Sequence, residues 1–172
     1  VELVGYKKTK FCIGYADNNL SALDLLEDTL DLIEDRYKTM QELGEKQWRG
    51  NRTFLVIDEL ADLLVDYEVG GKVKRTLQKI LQISRAAGVC VIACTQCPAR
   101  KILPAELTLN FTERIGLRCL SATESRQIIG TKGCEAINCY GKAYYQSAFN
   151  LSAVNVPLTS QETLDKRGDY WV

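Results

Sequence analysis

The sequence predicts an α/β fold with a mostly parallel sheet flanked by helices, and two observations carry that expectation. Phe54-Leu55-Val56-Ile57 and Val89-Cys90-Val91-Ile92-Ala93-Cys94 are short, continuous apolar runs. Runs of this kind suit strands buried on both faces, as parallel strands are. Around them lie longer stretches whose apolar residues recur at steps of three and four. Strand and helix patterns alternating in this way argue for crossover units rather than a sandwich. The 172 residues are 46% hydrophobic and 26% charged. That is ordinary globular composition and suits one domain.

In chain order, the mostly apolar Val1–Tyr6 stretch is followed by Lys7-Lys8-Thr9-Lys10 and a strand candidate at Phe11–Tyr15. Asp17, Asn18, Asn19 and Ser21 are helix-start residues, because their side-chain oxygens accept from free backbone N–H groups. Leu23, Leu26, Leu30, Ile33, Tyr37 and Met40 then form one buried helical stripe, which Gly44 can end. Acids on the other faces of that helix are read as solvated. After a polar loop over 45–52 comes the first buried strand, closed by Asp58-Glu59. Gly70-Gly71 is read as a break. Val73, Leu77, Ile80, Leu81 and Ala87 mark a second helix ended by Gly88, with Lys72, Arg75 and Lys79 on its outer face. The second buried strand ends at Thr95-Gln96. Arg114–Leu120 reads as a strand, Ser125–Gly130 as a short helix, and Ala143–Val156 as one or two late strands.

Composition excludes several chemistries. The chain has no His, so Ser-His-Asp and Cys-His catalysis and imidazole-ligated zinc are out. No apolar run approaches the ~20 residues of a membrane span. Seven irregularly spaced cysteines do not read as a disulfide framework and suit reducing cytosol. The formal charge is zero, but from Lys72 to Lys132 bases outnumber acids 11 to 3. That excess is read either as an interaction face or as a solvated surface.

Ligands gather at the carboxyl ends of strands in open α/β sheets, so the acids closing the first strand are the sharpest chemical signal. Asp58 can hold Mg²⁺, directly or through water, and Glu59 can orient or deprotonate an attacking water. This is the logic of a Walker B element, although the same residues also fit a strand followed by a polar loop. At the end of the next strand the Gln96 amide could touch a γ-phosphate or the attacking water. Cys90, Cys94 and Cys97 have the C-x₃-C-x₂-C spacing of an iron–sulfur site. Within a strand, however, four residues span ~13 Å. Thiolates on one cluster must converge more closely, so the cysteines are read as core. No G-x-x-x-x-G-K-[ST] phosphate loop occurs; Gly70-Gly71-Lys72-Val73 lacks its leading glycine and its hydroxyl residue.

Together these segments resemble the FtsK/SpoIIIE-type DNA translocases. FLVIDELADLL at Phe54–Leu64 is similar to that family's Walker B region. Arg36-Tyr37-Lys38-x-Met40, Ser84-Arg85-Ala86-Ala87-Gly88-Val89 and Thr95-Gln96-Cys97-Pro98 resemble further family elements. So do Asn110–Ile115, Glu124–Ile129 and Gly133–Ala136, all in family order over about 1–162. The resemblance implies a RecA-like P-loop NTPase core, lacking the P-loop strand here, with residues 1–172 a partial motor domain and 163–172 a tail. It implies ATP and Mg²⁺ as cofactors in the parent, double-stranded DNA as partner, and a homo-oligomer, usually a hexamer. Glu59 and Gln96 would be catalytic, Asp58 would serve Mg²⁺ through water, and Thr95 would lie against the nucleotide. Arg85, Arg114 and Arg126 are candidates for structural or neighbour-facing roles. The segment is expected in the cytoplasm without direct membrane contact, and the resemblance allows a parent anchored in the membrane through an N-terminal region. Cys97, Cys90 and Lys142 stand where the family commonly has Arg, His and an acid, which suggests a divergent branch from a mobile element or conjugation system. Because the resemblance starts just after the P-loop region, truncation is the simpler account of the missing loop. A non-hydrolysing assembly module, as of a secretion or conjugation machine, is the alternative reading.

Overall fold

In the computed structural model the described residues are 2–158. They form two compact units, one from residues 2–8, 12–97 and 102–110, the other from 9–11, 98–101 and 111–158.

The first unit is built on a parallel strand pair and its helices. Helix α1 spans Asn19–Leu43. Asn18 caps it, its side chain accepting from the Ser21 N–H while the Ser21 hydroxyl accepts from the Asn18 N–H. Gly44 closes it in the left-handed region at φ 67°. Leu23, Leu26, Ile33 and Met40 of the expected stripe are buried. Strands β1 (Thr53–Ile57) and β2 (Val89–Ala93) pair in parallel, with Thr53 opposite Val89 and Ile57 opposite Ala93. Parallel strands need a crossover, and α2 (Leu60–Val65) and α3 (Gly70–Ile83) supply it. Val73, Leu77 and Ile80 of α3 are fully buried and pack toward α1. A four-residue helix, α4 (Ala105–Thr108), completes this unit.

One clamp fastens the N-terminal ends of both strands. Arg36 of α1 donates to the Ala87 carbonyl at 2.9 Å and to the Thr53 hydroxyl at 2.7 Å. Its guanidinium lies 4.8 Å from the centre of the Trp48 ring. Trp48 is pinned in turn: its backbone N–H reaches Ala86 O at 2.8 Å and its indole N–H reaches Asn51 O at 3.1 Å. The neighbouring Tyr37 hydroxyl donates to Ile83 O at the end of α3.

The second unit is an antiparallel sheet, β3 (Arg114–Gly116), β4 (Lys142–Gln146) and β5 (Leu151–Asn155), in that spatial order. The link between β4 and β5 is too short for a crossover, so these strands run antiparallel. Helix α5 (Ala122–Ile129) starts on a Ser121–Glu124 capping box. Its Ile129 joins Cys134 and Ile137 in a small core, with Cys119, Ile128 and Tyr144 packed against it.

The structure corrects several sequence expectations. Glu2–Lys8 is a 3₁₀ helix. Phe11–Tyr15 forms no strand, and Phe11 and Ile13 are largely exposed. An extended segment without a neighbour cannot satisfy its backbone, which periodicity alone does not reveal. Gly70-Gly71 opens α3 instead of breaking the chain. A Cβ at Gly70 would stand 2.6 Å from the Leu64 carbonyl oxygen, so the close approach of α2 accounts for the glycine. Helix α3 stops at Ile83 rather than Ala87, and β3 is three residues long. The strand pair is buried on one face only. Leu55 and Ile57 are buried, whereas Phe54, Val56 and Ile92 stay about half exposed. Among the described residues the β1–β2 pair is parallel, and the separate β3–β4–β5 sheet is antiparallel. The expected tail at 163–172 lies outside the described residues.

Candidate functional site

The register of β1 on β2 brings the four leading site residues together. Ile57 faces Ala93, so the two chains leave the sheet side by side. The Cys94 N–H donates to Ile57 O at 2.8 Å, and the Leu60 N–H donates to Cys94 O at 2.9 Å. These bonds carry the pairing past the strands and hold Asp58-Glu59 against Thr95-Gln96.

Glu59 is the hub. It caps α2, its Oε1 accepting from the Ala61 N–H at 3.1 Å. The Thr95 hydroxyl donates to the same Oε1 at 2.6 Å. The Gln96 backbone N–H donates to Oε2 at 2.7 Å. Thr95 Oγ1 in turn accepts from the Cys97 N–H at 3.1 Å. Charge-assisted bonds of this length fix a carboxylate firmly. Asp58 is exposed at the strand end, free of the bonds that hold Glu59. A lone exposed carboxylate beside phosphates suits Mg²⁺, which keeps most of its waters and takes one or two protein carboxylates. The Gln96 side chain is exposed. The capping role of Glu59 was the part sequence reasoning missed; the apolar spacing of Leu60, Leu63 and Leu64 right after it was the available signal.

The two acids mark their neighbour. The Cys94 thiol is pushed up from its ordinary value, first by partial burial and then by the negative charges of Asp58 and Glu59. A raised thiol pKa means less thiolate at neutral pH and slower alkylation. Removing a negative charge lowers that pKa. Alkylation of Cys94 by iodoacetamide, followed by peptide mass spectrometry, is therefore expected to quicken in Asp58→Asn. An unchanged rate would mean that Asp58 does not face this corner.

The three arginines differ. Arg114 is half-buried; its Nε donates to Phe111 O at 3.0 Å and its Nη1 to Ile128 O at 3.3 Å. Arg85 is exposed. Arg126 is exposed too, with one long bond of 3.4 Å to Ala122 O in its own helix. Asp58, Glu59, Arg85, Thr95 and Gln96 belong to the first unit, Arg114 and Arg126 to the second. Among the described residues no cluster of three Cys, Asp or Glu is placed to hold a metal, and no helix is long and apolar enough to cross a membrane.

Comparison with known proteins bears on this arrangement. The chain is 35% identical over 131 residues to a DNA translocase FtsK of Staphylococcus aureus strain Mu50, a match covering 74% of this chain and 16% of that protein. FtsK of Bradyrhizobium diazoefficiens is 32% identical over 114 residues, covering 65% of this chain and 14% of the relative. This is an FtsK-type segment. It spans less than a fifth of the relatives it matches. No family model matches the chain. Among solved structures, the pCW3 conjugation coupling protein TcpA, in its monomer form with ATPγS, superposes with a TM-score of 0.75 at 20% identity, over 87% of this chain and 49% of that one. The cytoplasmic domain of the Thermomonospora curvata type VII secretion ATPase EccC gives 0.67 at 22% identity, over 83% of this chain and 19% of that one. The FtsK-type segment thus shares the α/β fold of these two proteins, with a parallel strand pair and flanking helices in its first unit.

Proposed function

We propose that residues 1–172 are part of an ATP-driven motor domain that moves along double-stranded DNA, with the ends of β1 and β2 forming its hydrolytic corner. The carrying observation is the Glu59 carboxylate held between the cap of α2 and the Thr95-Gln96 turn. The FtsK relatives support DNA as the track, and the ATPγS-bound TcpA supports ATP as the fuel.

In this reading Asp58 would be the residue that holds Mg²⁺, through a water, and the ion would offset the charge of the phosphates. Glu59 accepts a proton from the attacking water while the water oxygen bonds to the γ-phosphorus. The bond from that phosphorus to the bridging oxygen breaks, and its electron pair leaves with ADP. The exposed Gln96 amide reads the γ-phosphate, and Thr95 is its neighbour at the nucleotide-facing turn. Arg114, tied to its own backbone, takes a structural role. The exposed Arg85 and Arg126 are the candidates to face a neighbouring subunit in a hexamer. The working location is the cytoplasm.

The test uses two proteins. Full-length protein is expected to hydrolyse ATP faster when duplex DNA is added. Residues 1–172 alone, having no phosphate loop sequence, are expected to show no turnover above background. The same segment is expected to bind duplex DNA weakly and without sequence preference, because the basic excess over 72–132 can neutralise phosphates and, among the described residues, no element is set to read base edges. Raising salt from 50 to 200 mM should weaken that binding steeply. Tight, sequence-selective and salt-independent binding would contradict the proposal, as would full-length protein indifferent to DNA.

A further inference from the structure

The two oxygens of Glu59 are not equivalent, and the difference assigns them different work. A carboxylate oxygen offers two lone pairs. Oε1 already accepts from both the Ala61 N–H and the Thr95 hydroxyl, so both of its sites are occupied. Among the described residues Oε2 accepts only from the Gln96 N–H, which leaves one of its sites open to them.

Thr95 is equally committed. Its hydroxyl has one proton to donate. Two acceptors lie in range: Glu59 Oε1 at 2.6 Å and Cys97 O at 3.4 Å. The shorter, charge-assisted bond takes the proton. The oxygen then accepts from the Cys97 N–H, which ties the hydroxyl into the turn. A hydroxyl bound this way has no proton left to offer a phosphate.

We propose that Thr95 is a positioning residue which, together with the Ala61 N–H, occupies Glu59 Oε1 and leaves Oε2, beside the Gln96 amide, as the oxygen that accepts the proton of the attacking water. This deepens the hydrolytic reading above and rests on it. The open lone pair then sits next to the residue whose side chain reads the γ-phosphate. A shift of Gln96 toward a phosphate moves the backbone N–H bound to Oε2, so the base and the phosphate reader move together.

Two experiments test it. The first is amide hydrogen exchange on residues 1–172, read by NMR. Thr95→Val keeps the shape of the side chain and removes the hydroxyl. Exchange of the Cys97 amide is expected to quicken about tenfold or more, with the β2 ladder amides unchanged as proof of folding. Thr95→Ser is expected to keep the protection. If the Cys97 amide exchanges equally in wild type and Thr95→Val, the positioning contact does not exist and the proposal falls.

The second is ATPase kinetics on full-length protein. Thr95→Val is expected to lower kcat roughly tenfold to a hundredfold, since a carboxylate out of place loses most of its effect. KM and nucleotide affinity should stay within about twofold, and Thr95→Ser should restore kcat. Unchanged kcat in Thr95→Val would overturn the proposal. So would a loss of nucleotide affinity at unchanged kcat, which would make Thr95 a phosphate contact. Glu59→Gln separates the two readings. If it leaves turnover intact, the hydrolytic reading fails by itself, while the exchange data still decide whether the Thr95 hydroxyl is tied into the turn beside Glu59.

Discussion

Glu59→Gln in full-length protein is expected to cut ATP turnover by about 10²–10⁴-fold, the usual contribution of a positioned general base. ATP binding should change by less than about twofold. The substitution keeps the length of the side chain and one acceptor oxygen. That oxygen can still take the Ala61 N–H and the Thr95 hydroxyl, so the cap of α2 survives. The amide nitrogen then faces the Gln96 N–H, a donor against a donor, where the wild type has a 2.7 Å bond to Oε2. The variant therefore loses the proposed proton acceptor and loosens the turn, yet leaves Asp58 untouched. Turnover and equilibrium nucleotide binding, measured on the same preparations, check this. Unchanged turnover beside an active wild type would show that Glu59 is not the base. No turnover in either protein would favour the non-hydrolysing assembly module.

Gly88→Ala is expected to destabilise the first unit by about 2–4 kcal/mol, combining a left-handed backbone penalty with overpacking. Gly88 sits at φ 70° between α3 and β2. A Cβ there would lie 2.8 Å from Trp48 Cδ1 and 3.3 Å from Trp48 Cβ. The ring cannot swing aside cheaply. Its backbone N–H, its indole N–H and the stacked Arg36 hold it from three directions. Since small domains are stable by only about 5–15 kcal/mol, the loss is a large fraction. Urea unfolding followed by fluorescence measures it. Gly5→Ala is the control, because a Cβ at Gly5 meets nothing within 4 Å. Equal midpoints for the two variants would show that the Trp48 ring does not pack against Gly88.

What sequence could and could not show divides along the range of the interactions involved. Helix α1 was legible end to end, because its caps at Asn18 and Gly44 and its three-and-four apolar stripe are all local. The strands β1 and β2 were legible to within a residue for the same reason. Phe11–Tyr15 was misread because strand formation depends on a neighbour elsewhere in the chain. Gly70-Gly71 was misread because the close approach of Leu64 that requires the glycine is a packing fact. The half-exposed Phe54, Val56 and Ile92 show a further limit: hydrophobic runs tell that a face wants cover, not what covers it. At the site, Asp58, Glu59, Thr95 and Gln96 could be picked from strand ends alone. Their meeting could not, since it depends on Ile57 standing opposite Ala93. The unequal loading of the two Glu59 oxygens is a matter of ångströms and has no sequence signature.

The position of the Arg36 clamp has a consequence for how such a segment can change over generations. Arg36, Trp48 and Gly88 secure the entry ends of the strand pair, whereas the acids and the Thr95-Gln96 turn occupy the exit ends. Five residues of strand, roughly 17 Å, lie between them. At that separation, substitutions at one end add to those at the other with little coupling. The exit-end turn is therefore open to drift: residues there, Cys97 among them, can be exchanged while the clamp keeps the fold intact. Selection on the exit-end turn and selection for a foldable chain then act on different residues, so that the turn can be rebuilt in a lineage without passing through an unfolded ancestor.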